Sequence, residues 1–177
     1  EIVAWGRNME SWSIDYRVYK GDTSQKDVWS RFWALLNEPF EHETGNHLFI
    51  RQMAVDSSDQ TQTVYKQIRD TADDRVMAVK GQDSSVVIVG QPKDVDINHE
   101  GRKIYRGVKL WPVGVSQIKT ELYGFLRQNL PLDGEETPHG LCHFPDYDYE
   151  YFKQLTAEHR VKRTRSGKQI IRWEKWY

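Results

Sequence analysis

The residues most able to do chemistry lie in the stretch 48–69, LFIRQMAVDSSDQTQTVYKQIR. An apolar, β-favouring run from Leu48 to Val55 stops at Asp56, and Ser57, Ser58, Asp59 and Gln60 follow, all turn or cap formers. Thr61, Val64, Tyr65 and Ile68 then fall at the i, i+3, i+4, i+7 spacing of one helix face. The pattern predicts strand, sharp turn, helix, with a carboxylate at the carboxyl end of a buried strand. In open α/β sheets that edge is where ligands and metals bind. The competing reading is that Asp56 or Asp59 only caps the helix.

Other groups invite the same question. Lys119 falls in the first turn of a helix predicted from Gly114-Val-Ser116 onward, with Ile118, Leu122, Phe125 and Leu126 as its buried stripe. A cation there opposes the helix dipole. Either a phosphate or carboxylate holds it, or it is an ordinary exposed lysine. In HFPDYDYEYF, Pro145 and Asp146 are good helix-start residues, which places Asp148 in the first turn. His139, Cys142 and His143 lie close together but match no zinc spacing. Residues 159–175 hold seven Lys/Arg against one acid, leaving 18 Lys/Arg and 25 Asp/Glu elsewhere. An acidic body with a basic tail fits a metal-dependent enzyme on a polyanion; a solvated charged hairpin fits equally.

The elements that must position these groups follow the chain. Ile2–Trp5 and Ser11–Tyr19 predict an antiparallel hairpin, with Trp12, Ile14, Tyr16 and Val18 on one face and Ser13, Asp15 and Arg17 on the other. Asp15 on the polar face is expected to be solvated or paired with Arg17. Ser24 to Asp27 reads as a helix start, followed by a stripe of Val28, Phe32, Leu35 and Leu36 beside Trp29 and Trp33, ending before Pro39. Arg75–Lys80 is a second short strand, giving a strand–helix–strand crossover of the parallel kind. Residues 85–89 are another apolar run; 91–103 read as a polar excursion or a hairpin tip outside the core; Ile104–Val113 reads as a strand. Arg160–Thr164 and Gln169–Trp173 flank Ser166-Gly167 as a second hairpin.

At 177 residues the default is a single domain, 1–177. With 29 % charged and 12 % aromatic residues the chain is a folded protein, not a disordered one. No apolar run approaches the roughly 20 residues that span a bilayer, so no membrane is expected. One cysteine, Cys142, excludes an internal disulfide and suits a reducing cytosol. Glu1 opens directly into an apolar strand, and the chain is expected to be a piece of a longer protein.

Taken in order, VAWG, ESWSIDYRV with Gly21-Asp22, AVDSSDQTQTVY, AVKGQ, GVKLWPVGVSQIKTELYGFL and HFPDYDYEYFKQLTAEHRV resemble the C-terminal nuclease region of phage lambda-like terminase large subunits. The resemblance spans essentially the whole chain. It implies an α/β, RNase H-like mixed sheet with helices on both faces, a C-terminal basic hairpin, and a first acidic strand that is missing before Glu1. It implies an endonuclease that cuts concatemeric double-stranded viral DNA with two Mg²⁺ or Mn²⁺ ions, which want hard oxygen ligands. It makes Asp56 and Asp148 the catalytic and metal-binding acids, with Asp146 a rival ligand, and Lys80 a family basic position. Lys119, Arg160, Lys162, Arg163, Arg165 and Lys168 are the expected DNA contacts. Expected partners are viral DNA, the terminase small subunit and the portal protein, in the bacterial host cytoplasm. With the first acid absent, a non-catalytic DNA-docking or assembly module is the alternative, and an RNase H-like resolvase or transposase a third. No Gly-x-x-x-x-Gly-Lys-[Ser/Thr] motif is present.

Overall fold

The computed structural model of the chain describes residues 1–83, 86–99, 101–165 and 168–176, and only the backbone of Arg165 and Lys168. The chain divides into two compact units: residues 1–17 with 116–177, and residues 18–115. Among the described residues the architecture is mixed α/β.

The first unit opens with β1 (Ile2–Trp5) paired antiparallel to β2 (Ser11–Asp15), Ala4 opposite Trp12. The hairpin is as expected, but β2 ends at Asp15 and its facing is inverted. Ser11 and Ser13 are buried while Ile14 is 43 % exposed. A buried hydroxyl must be bonded, and Ser13 Oγ donates to Glu1 Oε1 at 2.9 Å and lies 3.0 Å from the Tyr147 hydroxyl. Hydrogen bonding, not apolar alternation, therefore sets which side of β2 faces inward. Asp15, on the same half-buried side as Ser13, pairs with Arg17 at 2.6 Å, one of the two outcomes expected for it.

The second unit begins with α1 (Lys26–Ala34), continued by a tight turn at Leu35–Asn37. Ser24 does not cap it. The Asp22 carboxylate accepts the Ser24 N–H, and the helix starts two residues later. Two short strands, β3 (Phe40–Glu41) and β4 (His47–Leu48), pair antiparallel. Then come β5 (Met53–Asp56), α2 (Thr61–Thr71), β6 (Val76–Gln82), β7 (Lys93–His99) and β8 (Arg102–Gly114). The sheet order is β5-β6-β8-β7, with β5, β6 and β8 parallel and β7 antiparallel to β8. The crossover from β5 through α2 to β6 is thus parallel, as the sequence predicted.

Val64, Tyr65 and Ile68 of α2 bury against Trp29, Ala78 and Ile97. Each large apolar side chain removed from water there contributes about 1.5–3 kcal/mol. Ile97 corrects the sequence reading of 91–103. Within it Lys93–His99 is strand β7, and Ile97 is 0 % exposed. Its Asp94, Asp96 and Asn98 alternate with Val95 and Ile97, a half-buried strand pattern concealed by its polar residues. The run 86–89 is exposed instead; Val89 bridges to Val113 and Ile88 O accepts the Gly114 N–H.

The predicted strand 48–55 is shortened to Met53–Asp56 because the chain turns at 49–52. Arg75 holds that turn: its guanidinium donates to Leu36 O, Ile50 O and both oxygens of Asp73. These bonds hold the Asp73 carboxyl at about 2, below its ordinary 3.8. A lowered acid contributes stability that is complete above the ordinary value and is lost as pH falls through the folded one. Melting measured from pH 5 to pH 2 should therefore steepen between about 4 and 2, and Asp73→Asn should flatten that fall relative to wild type. Parallel curves for the two proteins would contradict it.

The first unit resumes with α3 (Val115–Phe125), whose predicted stripe is only half-buried. Phe125 lies over Gly140, where a Cβ would stand 2.1 Å from the ring and φ is +79°. Only glycine fits there. β9 (Cys142–His143) pairs parallel to β2, followed by α4 (Tyr149–Leu155). α4 begins later than Pro145 and Asp146 suggested. Tyr147 N–H donates to Pro145 O in a turn, and Asp148 is the N-cap, its Oδ1 accepting Tyr151 N–H at 2.8 Å. β10 (Glu158–Arg165) and β11 (Lys168–Lys175) form the predicted antiparallel hairpin; its Ser166-Gly167 turn lies outside the described residues.

Candidate functional site

Asp56 stands at the carboxyl end of β5, opposite Val79 of β6. The next residue fixes it. Ser57 is fully buried and donates both N–H and Oγ to Val79 O at 2.9 Å. Asp56 itself is exposed, and its Oδ1 accepts the Ser58 N–H and hydroxyl at 3.0 and 2.8 Å. Asp59 accepts the Gln60 N–H. Neither acid caps α2, whose N-cap is Gln60 in a left-handed conformation that makes no side-chain capping bond. Asp56 Oδ2 makes no hydrogen bond among the described residues. Lys80, on the neighbouring strand, is half-buried beside Pro112 in register.

In the other unit, Asp148 Oδ1 is engaged in capping α4, and its Oδ2 is free of hydrogen bonds among the described residues. Asp146 is exposed and likewise makes none. A carboxylate that the sequence did not single out lies on this side of β2. Glu1 Oε1 accepts the Tyr151 hydroxyl at 2.6 Å as well as the Ser13 hydroxyl. Burial, then the Glu1 carboxylate, push the Tyr151 phenol well above its usual range. The one advance signal was the pair Ser11 and Ser13 on a strand otherwise rich in apolar residues.

The cations expected to meet DNA differ in their freedom. Lys119 pairs with Glu158, so its partner is a carboxylate of this chain. Arg163 makes a two-pronged pair with Glu174, 3.0 and 2.8 Å, and this lowers the Glu174 carboxyl. Arg160 and Lys162 are exposed and, by strand alternation, lie on the opposite face of the hairpin from Arg163. The side chains of Arg165 and Lys168 lie outside the described residues. His143 Nε2 is 2.7 Å from Glu10 and its ring stacks on Trp12, while His139 Nδ1 lies 3.1 Å from Asn8 Oδ1.

Among the described residues no group of three or more His, Cys, Asp or Glu is gathered closely enough to hold a metal ion. Asp56 and Asp148 each have one oxygen anchored by a backbone N–H and the other without a hydrogen bond among the described residues. Asp56 and Asp148 belong to different units. Among the described residues no helix is long and apolar enough to cross a membrane.

No curated protein and no solved structure matches the chain. A family model does, over residues 1–177, described as terminase large subunit gpA, endonuclease domain. The sequence motifs and that full-length match agree, and the chain belongs to the endonuclease-domain family of the gpA terminase large subunit.

Proposed function

We infer that this domain cuts concatemeric double-stranded viral DNA during genome packaging, by metal-assisted hydrolysis of the phosphodiester bond. The observation that carries this reading is the state of the two acids. Asp56 and Asp148 each have one oxygen fixed by a backbone N–H and the other without a hydrogen-bond partner among the described residues. A pre-oriented carboxylate with a spare oxygen suits a hard cation. Asp56 and Asp148 would hold Mg²⁺ or Mn²⁺, with Asp146 the rival to Asp148. Such ions, when bound, polarise a phosphoryl oxygen and lower the pKa of a bound water. An RNase H-like arrangement is supported by the parallel β5, β6 and β8, the antiparallel β7 and the acid at the end of β5.

The domain acts in the host bacterial cytoplasm, with viral DNA as substrate and the terminase small subunit and portal as assembly partners. A specific observation favours a second reading, a non-catalytic docking module: the absence of a three-acid cluster among the described residues. Incubating the protein with linear and supercoiled duplex DNA separates the two. Cutting in Mg²⁺ or Mn²⁺ that stops with chelator is the expected result; binding without cutting at any metal concentration would leave the docking module.

The basic hairpin contacts phosphates on this reading, and such contacts position the protein without choosing sequence. Each one lost lowers the salt slope of log affinity by about 0.9. Arg163 and Arg165 changed together to Ala should weaken binding about equally on any duplex and flatten the slope by up to about 2. Arg163 must leave Glu174 to reach DNA, so its share is the smaller one. An unchanged slope would assign the hairpin to a protein contact.

A further inference from the structure

We propose that the bulge in β8 is a second DNA-contacting element, in which Arg106 and its neighbouring cations hold strand phosphates and Tyr105 packs on the sugar or base beside them. The proposal rests on the endonuclease reading for the identity of the polyanion. Between the pairs Val95–Val108 and Ile97–Ile104, β7 contributes one residue and β8 three. Bulges re-aim side chains and are common beside functional sites. This one is built firmly. Asp96 Oδ1 accepts the Arg106 N–H at 3.0 Å, and Arg69 Nη1 donates to Gly107 O at 3.2 Å. A Cβ on Gly107 would stand 2.5 Å from buried Ile97, so glycine is required.

Arg106 itself has φ +50°, a conformation that any non-glycine residue adopts at a cost. Glycine would hold the same backbone without strain, yet an arginine stands there. The side chain is therefore the feature that needs a reason. The bulge leaves Tyr105 73 % exposed, with Lys103 Nζ 4.8 Å from the centre of its ring. Strand β8 carries Arg102, Lys103, Arg106 and Lys109 and no acid. Across on β7, Asp96 is engaged with Lys103 and the Arg106 amide, and Asp94 stands opposite Lys109 in register. An exposed aromatic among cations matches a nucleic-acid strand, which offers phosphates and π-faces together.

Binding of labelled duplex and single-stranded DNA in chelator, across several salt concentrations, tests this. Arg106→Gly should keep or raise the melting temperature while weakening both DNAs and lowering the salt slope by about 0.9 on the duplex and about 0.7 on the single strand. Tyr105→Ala, at an exposed ring, should leave melting unchanged and cost ~5-fold or more on the single strand through lost stacking. Wild-type affinity and slope in both variants would overturn the proposal and assign the face to something other than DNA. Wild-type protein that fails to bind DNA would overturn it together with the endonuclease reading. Asp56→Asn, which leaves the bulge intact, separates the two claims: it should bind DNA normally and fail to cut it.

Discussion

Asp56→Ala should abolish DNA cutting while leaving the fold standing. The loss expected is at least about 100-fold in rate, because a ligand that fixes the metal acts on charge developing in the transition state. The structural cost is small. Asp56 is exposed, and the change removes two hydrogen bonds to Ser58, each worth about 0.5–1.5 kcal/mol. Ser57, which ties β5 to β6 through Val79, is untouched. Circular dichroism and melting should therefore resemble wild type while product disappears from a cleavage gel. Near-normal cutting would remove Asp56 from the chemistry and leave it as a turn residue.

Asp148 should separate two roles in one side chain. Its Oδ1 caps α4, and loss of a cap costs about 1 kcal/mol. Asparagine caps as well as aspartate, so Asp148→Asn should melt like wild type whereas Asp148→Ala should melt about 2–4 °C lower. Both should fail to cut, since both lack the charge that a cation needs. Stability that tracks the cap and activity that tracks the charge would mark Asp148 as a metal-binding acid. Cutting retained in the Asn variant would reduce it to a cap and shift attention to Asp146, which is exposed and unbonded among the described residues.

The parts of the fold that were legible in the sequence are those governed by local pattern. The α2 stripe of Val64, Tyr65 and Ile68, the carboxylate at the end of β5 and the two basic strands follow from spacing alone. What escaped was decided by partners far along the chain. Ser13 faces inward because Glu1 and Tyr147 bond it, and 134 residues separate it from the latter. β5 begins late because Arg75 captures Ile50 O. Strand β7 was hidden by its outward acids, and the start of α4 by the turn at Pro145. The place of Lys119 in a first turn left open whether an anion holds it or it is an ordinary exposed lysine; that Glu158, 39 residues on, pairs with it is a tertiary fact. The resemblance to terminase nucleases survives the full-length family match. The roles it lent to Asp56 and Asp148 rest on the experiments above.

The central claim is that these two acids bind the metal, and a thermal titration with Mn²⁺ tests it most directly. A ligand present at about 100 times its dissociation constant stabilises the folded state by about 2.7 kcal/mol. Wild-type protein should melt higher as Mn²⁺ is added, with the rise reversed by chelator. The rise should vanish or shrink sharply in Asp56→Asn and in Asp148→Asn. The same rise in both variants as in wild type would contradict the account.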